Sequence, residues 1–393
     1  MLFSLSLILL IGFTLSNIFN RLHIPGLLAM IITGIVLGPY VLDLIAPDIL
    51  NISRDLREIA LIVILLRAGL TLDLKDLQKV GRPAILMCFI PATLEIVAIT
   101  LLAPLFFKIS YIEAAIMGSV VAAVSPAVVV PRMIKLMESG YGREKRIPHL
   151  IMAGASVDDV YVIVLFTAFL GMYKGEGFEM TSLITVPISI ILGLVIGIIC
   201  GLILIQLFKK FHIRDTVKVL IILSVSFILV TLEGWIENYV SMSGLLAVMA
   251  LGGTILKTRE PLAKRLTGKF SKIWVGAEVL LFVLVGAAVD LRSLADIGMM
   301  SVLIILAALC LRIFGVYLSM IKTNLNRKEK LFCAIAYLPK ATVQAAIGAI
   351  PLSMGVASGN TILSVAVLAI MITAPLGAVG VDRTYKKFLA HDG

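Results

Sequence analysis

The sequence predicts an all-α polytopic membrane protein of thirteen transmembrane helices. They form two inverted-topology repeats (helices 1–6 and 8–13) in which two helices, the fifth and the twelfth, are broken and cross. Three observations carry that prediction. Hydrophobic residues make up 60% of the 393 and charged residues 15%, and apolar runs long enough for a bilayer recur along the whole chain. Segments of the first half return in the second at a nearly constant offset, and prolines interrupt two apolar spans at comparable places in the two halves.

The helices fall near 2–20, 24–42, 56–72, 82–106, 112–134, 148–171, 183–208, 217–234, 242–256, 273–290, 299–321, 330–352 and 360–381. Each is an apolar run between charged or Gly/Pro-containing loops, and none shows the dyad alternation of a barrel strand. Most of the 34 Lys and Arg residues sit in loops of one side, which the positive-inside rule makes cytoplasmic. The N terminus is then outside, and the tail 383–393, with Arg383, Lys386 and Lys387, is cytoplasmic. The first helix lacks a basic n-region and is read as retained. The net charge of +10 follows from this topology and from anionic lipid at the basic loops, so no nucleic acid partner is implied. Cys88, Cys200, Cys310 and Cys333 lie in separate apolar helices, which argues against a disulfide framework or zinc site; they act as small apolar side chains. The expected location is the inner (plasma) membrane of a prokaryote.

Gly26-Leu27-Leu28-Ala29 with Gly34 recurs 218 residues on as Gly244-Leu245-Leu246-Ala247 with Gly252. Gly69, Asp73, Leu74, Lys75 and Leu77 recur 217 residues on as Gly286, Asp290, Leu291, Arg292 and Leu294. By the charge pattern the second helix runs from inside to outside and the ninth the opposite way, so the halves are inverted. Such repeats mark secondary transporters with a site near the midplane. The same offset sets Glu95 against Arg312, a buried pair at pseudo-two-fold mates whose desolvation costs offset one another if they meet.

The fifth helix carries Ser125-Pro126 and Pro131, and the twelfth Pro339-Lys340 and Pro351. Each proline removes a backbone donor and clashes with the preceding turn. Carbonyls freed at such breaks, and the negative ends of half-helices, can coordinate a cation. Lys340 stands where a fixed positive charge would neutralise two opposed helix C termini.

Asp158 and Asp159 lie in succession within an apolar stretch, where one charge costs roughly 2.5 kcal/mol or more on insertion scales. They project about 100° apart on a helix, so one can face the broken helices while the other turns to a neighbour. Two adjacent carboxyls in a low dielectric do not both stay ionised readily, which makes the pair a proton site. A hard monovalent cation, Na+ or Li+, wants oxygen ligands, which Asp159 and Asp158 with a hydroxyl from Ser125 or Ser156 and backbone carbonyls would supply. Proton and cation competing for one carboxylate give exchange when access alternates, with no nucleotide or other cofactor.

With the Asp158-Asp159 stretch, Ser125-Pro126, Glu95, Arg312 and Pro339-Lys340-Ala341-Thr342-Val343-Gln344-Ala345-Ala346, the chain resembles the monovalent cation:proton antiporter superfamily over nearly its full length. The resemblance is to its Asp-Asp branch, the bacterial sodium/proton antiporters and NHA-type exchangers. It implies an elevator mechanism, in which a core of 80–172 and 298–382 moves against a dimerisation domain of 1–79 and 210–297 with 180–209 as linker helix. It also implies a homodimer, with Asp159 as the essential ion carrier and Asp158 as its helper. Some relatives have Lys where this chain has Arg312, and Arg does not release a proton.

The alternatives are a K+/H+ exchanger of the same superfamily and a sodium-coupled solute carrier of related fold. An intramembrane aspartyl protease needs facing acids on two helices, which adjacent ones on one helix cannot form, and no potassium-channel filter motif occurs. Glu278 is a candidate for an access funnel, Arg67 for pairing with an acid or lipid, and His23, His149 and His212 fall in cytoplasmic loops.

Overall fold

Prolines and glycines set where the helices of this chain begin and stop. The computed structural model describes residues 1–22, 24–71, 81–174, 182–211, 213–236 and 242–391, so His23, Asp73, Leu74, Lys75, Leu77 and His212 lie outside the described residues. The helices are α1 (Leu2–Arg21), α2 (Gly26–Leu37), α3 (Pro47–Asn51), α4 (Ser53–Thr71), α5 (Arg82–Phe107), α6 (Tyr111–Ala122), α7 (Pro126–Glu138), α8 (Ile147–Lys174), α9 (Ser182–Lys210), α10 (Asp215–Ile236), α11 (Gly244–Thr258), α12 (Glu260–Ala287), α13 (Leu291–Ser319), α14 (Arg327–Ala336), α15 (Thr342–Ile347), α16 (Ile350–Ser353) and α17 (Gly359–Phe388). Among the described residues nine spans are long and apolar enough to cross a membrane, α6 with α7 counting as one. Shorter apolar pieces are α2, α11 and the stretch Thr342–Ser353.

The chain divides into two compact units. The first comprises Met1–Asn51, Asp73–Phe166 and Phe282–Gly393, and the second Ile52–Leu72 and Thr167–Leu281. In the first, α5 packs on α6 and α13, and α17 packs on α13 and α14. Part of its core is built from Met87, Val124, Met133, Phe332 and Tyr337. In the second, α11 packs against α4, α9 and α10.

The repeated glycines are where backbones meet. In the first unit a Cβ on Gly34 of α2 would run into the Val283 carbonyl of α12, and one on Gly286 of α12 into the Ile31 carbonyl of α2. In the second unit a Cβ on Gly69 of α4 would strike the Met249 carbonyl of α11, and one on Gly252 of α11 would lie 3.0 Å from the Leu66 carbonyl of α4. Gly34 and Gly252 are sequence mates, as are Gly69 and Gly286, so one helix–helix contact occurs twice with its partners exchanged. Small residues allow this close approach where lipid offers no hydrophobic drive for association.

Several boundaries differ from the sequence expectation, each for a local reason. The helix expected over 24–42 ends at Leu37, because Gly38 is extended at ψ 176° ahead of Pro39, which disfavours helix in the residue before it. The helix expected to begin near 273 begins at Glu260: the basic segment read as loop is rich in Leu, Ala, Lys and Arg, good helix formers, and Pro261 suits a first turn. The one expected from 299 begins at Leu291, with the Asp290 side chain accepting from Arg292 N at 2.9 Å as its N-cap. His149 lies in the first turn of α8 rather than in a loop. The last helix continues to Phe388, and the chain beyond it docks on a connection, Gly142 N donating to Ala390 O at 3.0 Å.

Candidate functional site

The site grows from two interruptions, both in the first unit. In the first, α6 stops at Ala122 because Pro126 has no N–H to continue the ladder. Ala123 and Ser125 are extended, and α7 restarts at Pro126. The second runs over 337–341, where Pro339 again withholds a donor between α14 and α15. The interruptions touch through Ser125 N, which donates to Pro339 O at 2.8 Å. Lys340 N is taken by Thr373 Oγ1 at 2.9 Å, and Gly377 makes room for the Pro339 ring, which a Cβ there would strike.

The carbonyls freed at the end of α6 face positive and amide donors. Ala122 O accepts from Arg312 Nη1, and from Lys340 Nζ at 3.2 Å. Gln344 Nε2 donates to Val121 O at 3.0 Å and Ala123 O at 2.8 Å, while its Oε1 accepts from Ala341 N at 2.8 Å. One side chain therefore caps α6 and the start of α15 together. These donors lie at the negative end of the α6 dipole, where cations are stabilised.

Around them lies a buried charge cluster. Arg312 on α13 donates through Nη1 to Glu95 Oε2 at 2.5 Å, through Nη2 to Asp158 Oδ2 at 3.3 Å and through Nε to Tyr337 O at 2.7 Å. Its guanidinium also lies over the Tyr337 ring, 5.6 Å from the centroid. Lys340 Nζ donates to the same Glu95 Oε2 at 2.6 Å. Asp158 Oδ2 accepts from Val124 N at 2.7 Å, which ties the acid to the first interruption. Glu95, Asp158 and Arg312 are 0% exposed, Lys340 1% and Asp159 8%, so water does not screen these charges.

Of the residues singled out in the sequence, Glu95, Arg312, Asp158 and Lys340 form one connected network. Asp159 is next to it on α8 and is held differently: its Oδ1 is buried and has no hydrogen-bond partner among the described residues. The same holds for Glu95 Oε1, Asp158 Oδ1 and Ser125 Oγ. Ser125 is the N-cap of α7, yet its hydroxyl makes no capping bond. Ser156 lies on α8 with its side chain outside the described residues. Glu278 belongs to the second unit, where it is half-buried and Arg67 is the charge acting on it; Arg67 in turn lies 5.6 Å from the Trp274 ring centroid. Among the described residues no group of three or more His, Cys, Asp or Glu is arranged to hold a metal ion.

Sequence reasoning gave no role to Gln344, which donates to the carbonyls of Val121 and Ala123 on the other interrupted helix, or to Tyr337, whose own carbonyl accepts from the Arg312 side chain. It also missed that Lys340 shares the Glu95 oxygen with Arg312. The available signal was the offset itself, which pairs Glu95 with the region of Arg312 and Ala122 with the region of Lys340.

Fold and site define a helical membrane transporter with an ionic cluster at two helix interruptions. The chain matches the family described as "Sodium/hydrogen exchanger, transmembrane" over residues 5–387. It is 34% identical over 375 residues to mouse (Mus musculus) Sodium/hydrogen exchanger 9B2, covering 91% of this chain and 67% of that one. It is 33% identical over 371 residues to human (Homo sapiens) Sodium/hydrogen exchanger 9B1, covering 91% and 71%. Its fold is similar to that of the sodium proton antiporter MjNhaP1 from Methanocaldococcus jannaschii, with a TM-score of 0.83 at 21% identity over 98% of this chain and 97% of that one. The chain thus belongs to the sodium/hydrogen exchanger family of the cation:proton antiporter superfamily, transporters rather than enzymes.

Proposed function

We propose that this protein exchanges Na+ or Li+ for H+ across a membrane, with proton and cation competing for Asp159. The observation that carries the proposal is the charge balance of the buried cluster. Three acids, Glu95, Asp158 and Asp159, stand against two bases, Arg312 and Lys340. The bases are engaged by Glu95 and Asp158, which leaves Asp159 as the carboxylate without an ion-pair partner among the described residues. An empty, ionised cluster carries one net negative charge, and a buried unpaired charge is costly to move through a low dielectric. Loaded with one proton or one monovalent cation the cluster is neutral. Exchange without leakage follows, because only loaded forms cross the barrier.

Asp158 holds the first interruption through Val124 N and lends Oδ1 to the cation; Ser125 Oγ and Ser156 complete an oxygen cage suited to a hard ion. Arg312 and Lys340 fix the charge and neutralise the end of α6. In the proposed elevator, 80–172 and 298–382 form the moving core with the two broken helices crossing in it, and 1–79 with 210–297 the dimerisation domain of a homodimer. The segment 180–209 links them. The doubled glycine contact supports the inverted repeat of thirteen spans that this movement uses. Glu278, with Arg67 beside it, is assigned to the access funnel, and the basic loops and C terminus to the cytoplasmic face of a prokaryotic inner membrane.

A cation-series exchange assay in proteoliposomes, with and without a membrane potential, tests the reading. Na+ and Li+ are expected to drive proton movement one for one and K+ not to, with rates indifferent to potential while Arg312 and Lys340 keep their charges. Flux driven by potential would show that a second proton takes part in the cycle, carried by Asp158 or by Lys340, of the two bases the one able to release its proton.

A further inference from the structure

Two acids outside the charge cluster repeat one arrangement at the ends of the interrupted helices. Ser110 and Glu113 form a capping box at the start of α6: Glu113 N donates to Ser110 Oγ at 3.3 Å, and Ser110 N donates to Glu113 Oε2 at 2.9 Å. Asn326 and Glu329 form the same box at the start of α14, with Glu329 N donating to Asn326 Oδ1 at 2.9 Å and Asn326 N to Glu329 Oε2 at 2.7 Å. Both members are separated by 216 residues, close to the offset that relates the halves.

A capping box uses one carboxylate oxygen and needs no burial. Here both acids are buried, at 8% and 2% exposure, and both reach further. Glu113 Oε1 accepts from Ser358 N at 3.1 Å, in the connection beyond α16. Both oxygens of Glu329 accept from Lys145 Nζ at 2.9 Å, in the connection beyond α7. Each acid thus fastens the start of one interrupted helix to the chain just past the end of the other. With the Ser125–Pro339 bond, the two helices are tied at the middle and at both ends.

We propose that Glu113 and Glu329 are a symmetry-related pair of positioning residues that hold the two interrupted helices as one body, and so keep the interruptions at 123–125 and 337–341 in register beside Asp158 and Asp159. The transport consequence rests on the antiport reading above; the structural consequence does not. The two ties differ in chemistry. Ser358 offers a main-chain N–H, whereas Lys145 offers a part-exposed ammonium, so the tie at Glu329 weakens with salt.

The test uses the full chain carrying K145Q, E329Q, both together, K145R or E113Q. Gln at 329 keeps an acceptor for the cap and loses the charge that Lys145 reaches. Hydrogen exchange is read at Val124, Ser125, Lys340 and Ala341, whose amides make the bonds of the interruptions. Exchange there is expected to quicken on the order of 10-fold in K145Q, E329Q and E113Q, with the double variant no worse than either single one and K145R like the parent. In proteoliposomes the same variants are expected to raise the apparent KM for Na+ by about 3- to 10-fold with kcat changed less. Folded variants with parental amide exchange and parental KM would overturn the proposal, as would additive effects of K145Q and E329Q. A parent protein that moves no cation would sink the antiport reading, and the amide exchange would still decide this one.

Discussion

Replacing Glu95 by Gln keeps the shape of a fully buried side chain and deletes the charge that Arg312 Nη1 reaches at 2.5 Å and Lys340 Nζ at 2.6 Å. Lys340 Nζ would be left with Ala122 O at 3.2 Å as its other bond. Removing one partner of a buried ion pair costs about 3–5 kcal/mol, because the other charge stays buried. An unfolding entropy of about 2.1 cal/mol/K per residue over this chain puts the fall in melting temperature at roughly 4–6 °C. Lys340→Gln leaves Glu95 with Arg312 and is expected to cost less, about 1–3 kcal/mol. The double variant removes one charge of each sign, so it should melt above Glu95→Gln alone, with a coupling of about 2–3 kcal/mol in a double-mutant cycle. Thermal melting of the purified detergent-solubilised proteins reads all three. A double variant that melts lower by the sum of the single effects would refute the connected cluster. Interchanging Glu95 and Arg312, reasonable for an isolated pair, would set a guanidinium beside Lys340 and is not expected to restore stability.

Ser125→Ala removes a buried hydroxyl that has no hydrogen-bond partner among the described residues. Its melting temperature should stay within about 1 °C of the parent while the apparent KM for Na+ rises about 5- to 10-fold, measured by exchange in proteoliposomes. Gly286→Ala and Gly69→Ala each drive a methyl group into a carbonyl of the facing helix, and as pseudo-symmetric mates they should lose similar amounts, about 1–3 kcal/mol each by thermal melting. Unequal losses, with one variant as stable as the parent, would argue that the doubled contact is coincidental.

The broad fold was legible because lipid imposes it: long apolar runs, loop charge and two proline breaks each have one ready structural answer. The cluster was legible in part, since buried acids and bases in apolar helices need partners and the repeat offset named Arg312 for Glu95. Lys340 at that same carboxylate was not, because which carbonyls a break exposes depends on how two chains meet at Ser125 and Pro339. The start of α12 at Glu260 was hidden by its basic residues, which satisfy the loop rule and the helix propensity equally. Glu113 and Glu329 sit in recognisable Ser-x-x-Glu and Asn-x-x-Glu patterns, but a capping box carries no sign of Ser358 or Lys145, which lie far along the chain.

Asp159→Asn tests the central proposal most directly. The amide keeps the volume and cannot bind a proton or carry the charge that draws a cation, so a folded Asp159→Asn protein in proteoliposomes should show no Na+- or Li+-driven proton movement. Exchange persisting near the parental rate would contradict the account, and would place the carrier elsewhere in the cluster.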